Sequence, residues 1–228
     1  MTPPKSKILL LPQSLLWLLL GAGSMMLLFF LPAGTWNYWQ AWVFLAVVLV
    51  PTFALLVILL LKDPETLKRR MKHKESDAGQ RKLINFSGIV LSLAFILPGF
   101  DRRWSWSHLP AWLVIATDVI CLAGYLIFML VLRENRFASR VVEVEQGQRV
   151  ISTGPYAIVR HPMYVGMLLL YLACPLALGS AWAFIPALLM IPVLVLRILS
   201  EEKILLKDLP GYAEYVQKVK YRLLPGVW

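Results

Sequence analysis

Charge is what this sequence has least of. Only 16% of its 228 residues are Asp, Glu, Lys or Arg, whereas 59% are hydrophobic. An ordinary soluble domain carries about a quarter charged residues. This balance excludes a disordered chain, and 13 glycines are too few for a collagen-like fibre. Two cysteines, Cys121 and Cys174, cannot staple a disulfide scaffold. Both lie inside apolar segments, as packing residues do, rather than as a disulfide or metal pair. Acidic residues are scarce too, 13 against 23 Lys and Arg, for a net charge of +10. In a soluble protein such an excess suggests nucleic acid. Here the basic residues flank long apolar runs, so they read as topogenic charge beside anionic headgroups, with no nucleic-acid partner.

What the chain has instead is long hydrophobic runs. A helix crosses a ~30 Å hydrocarbon core with about 20 apolar residues. Residues 8–31, 39–61, 83–100 and 111–132 each meet that need. The first is too long for a signal-peptide core and is read as a retained span. Trp36, Tyr38, Trp39 and Trp42 suit a membrane interface at the second. Two shorter runs, 163–178 and 181–196, are joined by Gly179-Ser180, which reads as a tight helical hairpin. Pro175, Pro186 and Pro192 interrupt it, so it is expected to pack against the other spans and to cross only in part. The expected fold is an all-α polytopic membrane protein of five to six helices. Residues 1–132 form the N-terminal spans, with a loop at 62–82, and 133–228 form a C-terminal functional region with hairpin 163–198.

Lys62, Lys68, Arg69, Arg70, Lys72, Lys74, Arg81 and Lys82 crowd the 62–82 loop. Further basic residues fill 133–160 and the tail, and Arg102 and Arg103 are the only ones in the alternate loops. The positive-inside rule puts both termini, the 62–82 loop and the tail in the cytoplasm. The 62–82 loop itself reads as a short interfacial helix with a solvated face.

Polar groups that could do chemistry gather at the same side. In Gly154-Pro155-Tyr156 and Arg160-His161-Pro162-Met163-Tyr164-Val165-Gly166, Gly-Pro makes a turn and Pro162 suits a first helical turn. His161 and Tyr164 then share a face, the free N–H groups of the helix start favour an anion, and Gly166 permits close backbone approach. Arg197 and Glu201 are four apart on one helix face, followed by Glu202, which reads as solvated. A charge ending an apolar helix is costly unless paired or functional, and the two carboxylates could balance a cation such as a sulfonium. Asp118, seven residues into the fourth span, is expected to pair with a hydroxyl or backbone group. Gly21-Ala22-Gly23 lacks the strand and third glycine of a dinucleotide fingerprint. His73, His108 and His161 lack metal-ligand spacing, so no metal is expected.

Taken in order, these motifs resemble the isoprenylcysteine carboxyl methyltransferase-like family of integral membrane methyltransferases. Gly211-Tyr212-x-Glu214-Tyr215 and the ending Tyr221-Arg222-Leu-Leu-Pro225-Gly226 extend the likeness from Arg133 onward. The resemblance implies S-adenosylmethionine as cofactor, bound in a cytoplasmic C-terminal region, and a lipophilic small-molecule or lipidated acceptor drawn from membrane lipids. Carried onto this chain, the cofactor-binding residues would be Glu143, Gln148, Arg149, Val150, Ile151, Tyr156, His161, Pro162, Met163, Tyr164 and Glu201. Arg197 would contact substrate and act with Glu201 in catalysis, and Tyr212 and Tyr215 would close over the pocket. The acceptor would be a prenylcysteine-like carboxylate or another lipid nucleophile. The membrane would be the inner one in a bacterium or the endoplasmic reticulum in a eukaryote.

Two other readings use the same residues. Sterol-type reductases, which use NADPH, share an Arg-His-x-x-Tyr-x-Gly stretch and a Tyr-Arg-x-x-Pro ending. A non-catalytic lipid-binding membrane protein would account for the apolar bulk but leaves the 154–166 cluster unexplained.

Overall fold

The computed structural model describes residues 5–71, 78–138, 144 and 146–228. Among them the backbone is helical throughout the four long apolar runs, because in lipid each N–H and C=O must be satisfied within its own segment. Helices α1 (Lys5–Ala33), α2 (Trp39–Lys62), α4 (Ala78–Trp104) and α5 (Ala111–Glu134) are the long spans, and α3 (Pro64–Arg70) is a short helix between α2 and α4. A 3-10 turn (Gly154–Ala157) precedes α6 (Pro162–Ala177), α7 (Phe184–Ala187), α8 (Met190–Asp208) and α9 (Tyr212–Lys218). Among the described residues five stretches are long and apolar enough to cross a bilayer: Leu10–Ala33, Trp39–Lys62, Arg81–Trp104, Ala111–Glu134 and Phe184–Asp208. The 16 residues of α6 rise only about 24 Å, short of a ~30 Å core.

Outward side chains suit lipid: Leu31 is 74% exposed and Leu61 68%. Trp36 and Trp42 stack beside Phe30 at one end, where Trp104 and Trp106 also stack, forming an aromatic interface belt. Beneath them Phe29, Tyr38, Phe44, Cys121, Cys174 and Leu178 make the main core. Both cysteines are free and buried.

Helices α5 and α6 pack most closely of all. A Cβ at Gly124 would sit 2.8 Å from the Gly166 carbonyl oxygen, and one at Gly166 would sit 2.8 Å from that of Gly124. No other side chain fits there, so backbone meets backbone.

The hairpin is looser than the Gly179-Ser180 link suggests. Gly179, at φ +80°, turns the chain, but residues 178–183 all lie outside regular helix and α7 lasts one turn before α8 begins. Pro186 and Pro192 lack the N–H groups that would carry the ladder through. Conversely α8 runs past 196 to Asp208, since Arg, Glu, Lys and Leu are good helix formers and the next proline is Pro210.

Asp118 departs from expectation. It is 4% exposed, and neither carboxylate oxygen has a hydrogen-bond partner among the described residues. The neighbouring hydroxyl, Thr117, is committed to the Leu113 and Val114 carbonyls. Asp101 instead is the satisfied acid at the belt end. It is 2% exposed and accepts from Ser107 N (2.7 Å), Ser107 Oγ (2.7 Å) and Ser180 Oγ (2.5 Å), tying α4 to the hairpin turn.

Candidate active site

The opposite end of the bundle is built around Glu202, which is 5% exposed and not solvated. Arg160 Nε donates to its Oε1 at 2.7 Å, Arg222 Nε donates to Oε2 at 2.7 Å, and His161 Nε2 lies 3.2 Å from Oε1. A buried carboxylate is tolerable only with such partners. Arg160 also donates to the Val219 and Lys220 carbonyls, and the N–H groups of Arg160 and His161 bond the Tyr221 and Arg222 carbonyls. The tail is thereby laced onto the start of α6. Arg222 in turn lies over the Trp228 ring.

Glu201, one residue earlier, points elsewhere, because successive helical residues are rotated by about 100°. The Tyr164 hydroxyl donates to Glu201 Oε2 at 2.6 Å and accepts from Arg197 Nε at 2.9 Å. Arg197 and Glu201, four apart on one face of α8, are both bonded to a tyrosine from another helix. His161 caps α6, with its ring centroid 5.8 Å from that of Tyr164.

These groups border a cleft with about 880 Å³ of empty space, its open side included. Gln148, Arg149, Val150, Ile151, Tyr156, His161, Pro162, Met163, Tyr164, Arg197 and Glu201 all line it. Glu143 lies outside the described residues. The 3-10 turn is held by Thr153, whose hydroxyl donates to Glu134. Asn135 Nδ2 donates to the Tyr156 hydroxyl at 2.9 Å, and the Tyr215 hydroxyl donates to the Tyr156 carbonyl at 2.7 Å. Burial pushes the Tyr156 hydroxyl up to about 12; the Asn135 hydrogen bond and Arg70 counter this, and the Glu201 charge adds to it. Burial, reinforced by Glu202 and Glu201, also raises Tyr212. Both therefore remain neutral hydroxyls at physiological pH.

Asn135, Phe137, Ala138, Arg160, Leu205 and Leu209 complete the lining with Tyr212 and Tyr215. A signal for two of them was present. Arg197, Glu201 and Leu205 follow one another at spacing four and form one stripe along α8, and Leu209, which ends the helix, continues the spacing. Asn135, Phe137 and Ala138 carry no such pattern.

The buried Tyr212 hydroxyl has no hydrogen-bond partner among the described residues. An orphan donor in a cleft wall is a group to which a ligand can bond. With the Glu201 carboxylate, aromatic faces and the apolar Val150, Ile151, Leu205 and Leu209, the lining fits a cationic, partly apolar, hydroxyl-bearing molecule. S-adenosylmethionine is such a molecule.

No curated protein matches the sequence. Residues 112–210 match the family model described as phospholipid methyltransferase, a segment that starts with α5, includes the His161–Tyr164 turn and the hairpin, and ends beyond Glu201. The likeness to that family is one of this segment, which makes up less than half of the chain.

Proposed function

We propose that this protein transfers a methyl group from S-adenosylmethionine, bound in the cleft at the cytoplasmic face, to a lipophilic acceptor. The observation that supports this is the Tyr164 bridge. One hydroxyl joins a carboxylate suited to a cation and a guanidinium suited to an anion, 2.6 and 2.9 Å away.

When bound, the cofactor supplies a methyl group on a positively charged sulfur, open to in-line displacement. Glu201 sets negative charge toward that cation, and the Tyr156, Tyr212 and Tyr215 rings offer it aromatic faces. Gln148 and Arg149 present donors for a carboxylate, and Val150, Ile151, Leu205 and Leu209 wall off water. His161 and Pro162 act through the backbone, holding Met163 and Tyr164 at the cleft. Arg197 holds the acceptor's nucleophile without neutralising it, and such positioning can supply ~7–11 kcal/mol of the barrier. A carboxylate acceptor, as on a prenylcysteine, needs no general base. A phospholipid-borne nucleophile fits the same placement.

Two assays test the reading together. S-adenosylmethionine should raise the melting temperature of the purified protein, by the equivalent of about 2.7 kcal/mol at a hundredfold excess over Kd, and label from its methyl group should enter the lipid fraction of membranes. Stabilisation by NADPH in its place, with no methyl transfer, would replace this function with that of a reductase.

A further inference from the structure

Asn135, which caps the end of α5, lines the cleft, and its partners fix which way its amide points. Its Oδ1 accepts from the Phe137 N–H at 3.0 Å, which leaves Nδ2 facing the Tyr156 hydroxyl, 2.9 Å away. An amide nitrogen donates and does not accept. The Tyr156 oxygen is therefore the acceptor of this bond, and its single proton has to point elsewhere. Among the described residues nothing accepts that proton.

The turn that carries Tyr156 is seated on the end of α5. Thr153 donates to Glu134, the residue before Asn135, and the Tyr215 hydroxyl holds the Tyr156 carbonyl at 2.7 Å. Gly154 sits at φ +56°, and a Cβ there would lie 3.1 Å from the Glu134 carboxyl group, so only glycine lets the turn come this close. The hydroxyl keeps its proton at physiological pH, because burial pushes it up to about 12. Position, protonation and direction of the Tyr156 hydroxyl are all set before a ligand arrives.

A second uncommitted donor belongs to the same wall. The Tyr212 hydroxyl is buried and has no partner among the described residues. Tyr156, Tyr212 and Tyr215 pack in one cluster with Val150, Leu205 and Leu209, and all six line the cleft. Two neutral donors in an apolar wall suit a flat, uncharged group that carries hydrogen-bond acceptors. A carboxylate suits this wall less, since it would bring a second anion into the cleft that Glu201 already lines. Of the parts of the methyl donor, the nucleoside has the required character.

We propose that Asn135 is a positioning residue, which fixes the polarity of the Tyr156 hydroxyl so that it donates to an oxygen or nitrogen of the uncharged nucleoside of the methyl donor. The inference rests on the cleft being the methyl-donor site. It divides the ligand between two sets of residues: Glu201 bears on the sulfonium, and Asn135 acts on the nucleoside through Tyr156. Aspartate at position 135 would keep the shape of the side chain and the bond from the Phe137 N–H. Its second oxygen would accept the Tyr156 proton, and the hydroxyl would then offer lone pairs to a ligand acceptor, leaving that acceptor unpaired.

Calorimetric titration of full-length protein in detergent with 5′-methylthioadenosine tests it, since this probe has the nucleoside and sulfur of the donor but no charged group. Wild type should bind it saturably, and Asn135→Asp should weaken Kd about 10–100-fold. In a Tyr156→Phe background the same substitution should change Kd by no more than about twofold, because the bond through which it acts is gone. A merely structural role for Asn135 would give equal losses in both backgrounds. Tyr156→Phe alone should weaken Kd about 3–10-fold, which keeps the test decisive if Asn135→Asp does not melt cooperatively. Equal losses in the two backgrounds, an Asn135→Asp or Tyr156→Phe protein that binds like wild type, or a wild type that binds S-adenosylmethionine but not the nucleoside overturns the proposal and leaves the donor site standing. A wild type that binds neither compound refutes the donor site and this inference with it.

Discussion

Each end of the bundle is pinned by a buried carboxylate, and the two are satisfied in different ways. Asp101, at the tryptophan belt, accepts from two serine hydroxyls and one backbone N–H. Two of those three donors come from Ser107, six residues away, and the third binds the hairpin turn. Glu202, at the other end, collects Arg160, His161 and Arg222. The neutral set closes a local corner. The cationic set pulls together three distant stretches of chain and so folds the tail over α6 and α8. It also leaves Glu201, the residue before it on α8, outside that network and facing the cleft beside Tyr164 and Arg197. One acid holds the frame so that its neighbour can meet a ligand.

The largest effect should come from breaking the cationic set. Glu202→Leu strands Arg160 in a buried site and should cost about 3–5 kcal/mol, read as a large drop in melting temperature in detergent, with S-adenosylmethionine binding lost alongside. A variant that melts like wild type would mean that Glu202 does not hold the frame. Arg197→Ala comes next. It leaves the Glu202 network intact, so cooperative melting and cofactor binding should persist while the methyl-transfer rate falls by about 10²–10³, as when one preorganised donor is removed. A rate within a few-fold of wild type would remove Arg197 from the chemistry. Asp101→Asn should do least, costing about 1–3 kcal/mol of stability with cofactor affinity unaltered. A loss of affinity there would show the two ends to be coupled, against the division of labour drawn above.

Much of this was legible in the sequence, for physical reasons that differ from place to place. The long spans were, because twenty apolar residues have few other uses. Their ends were less so: α8 continues to Asp208 through charged residues that look like a tail but propagate a helix well. Gln148 to Ile151, Tyr156, His161 to Tyr164, Arg197 and Glu201, which the family resemblance implies as site residues, all line the cleft. Glu202 was misread as solvated. Its cations sit 42 positions before it and 20 after it, and no local period reports such a contact. Asp118 was expected to find a partner, but neither of its carboxylate oxygens has one among the described residues, and the hydroxyl of Thr117, next to it in sequence, donates to the backbone.

The central claim is that the Glu201 carboxylate faces the methyl donor, and calorimetric titration of S-adenosylmethionine into wild type and Glu201→Gln tests it most directly. The expected result is saturable binding by the wild type and a Kd weakened about 10–100-fold in the variant, the worth of one hydrogen bond to a charged group, with cooperative melting retained. Equal affinity in the two proteins, or no binding by the wild type, would contradict it.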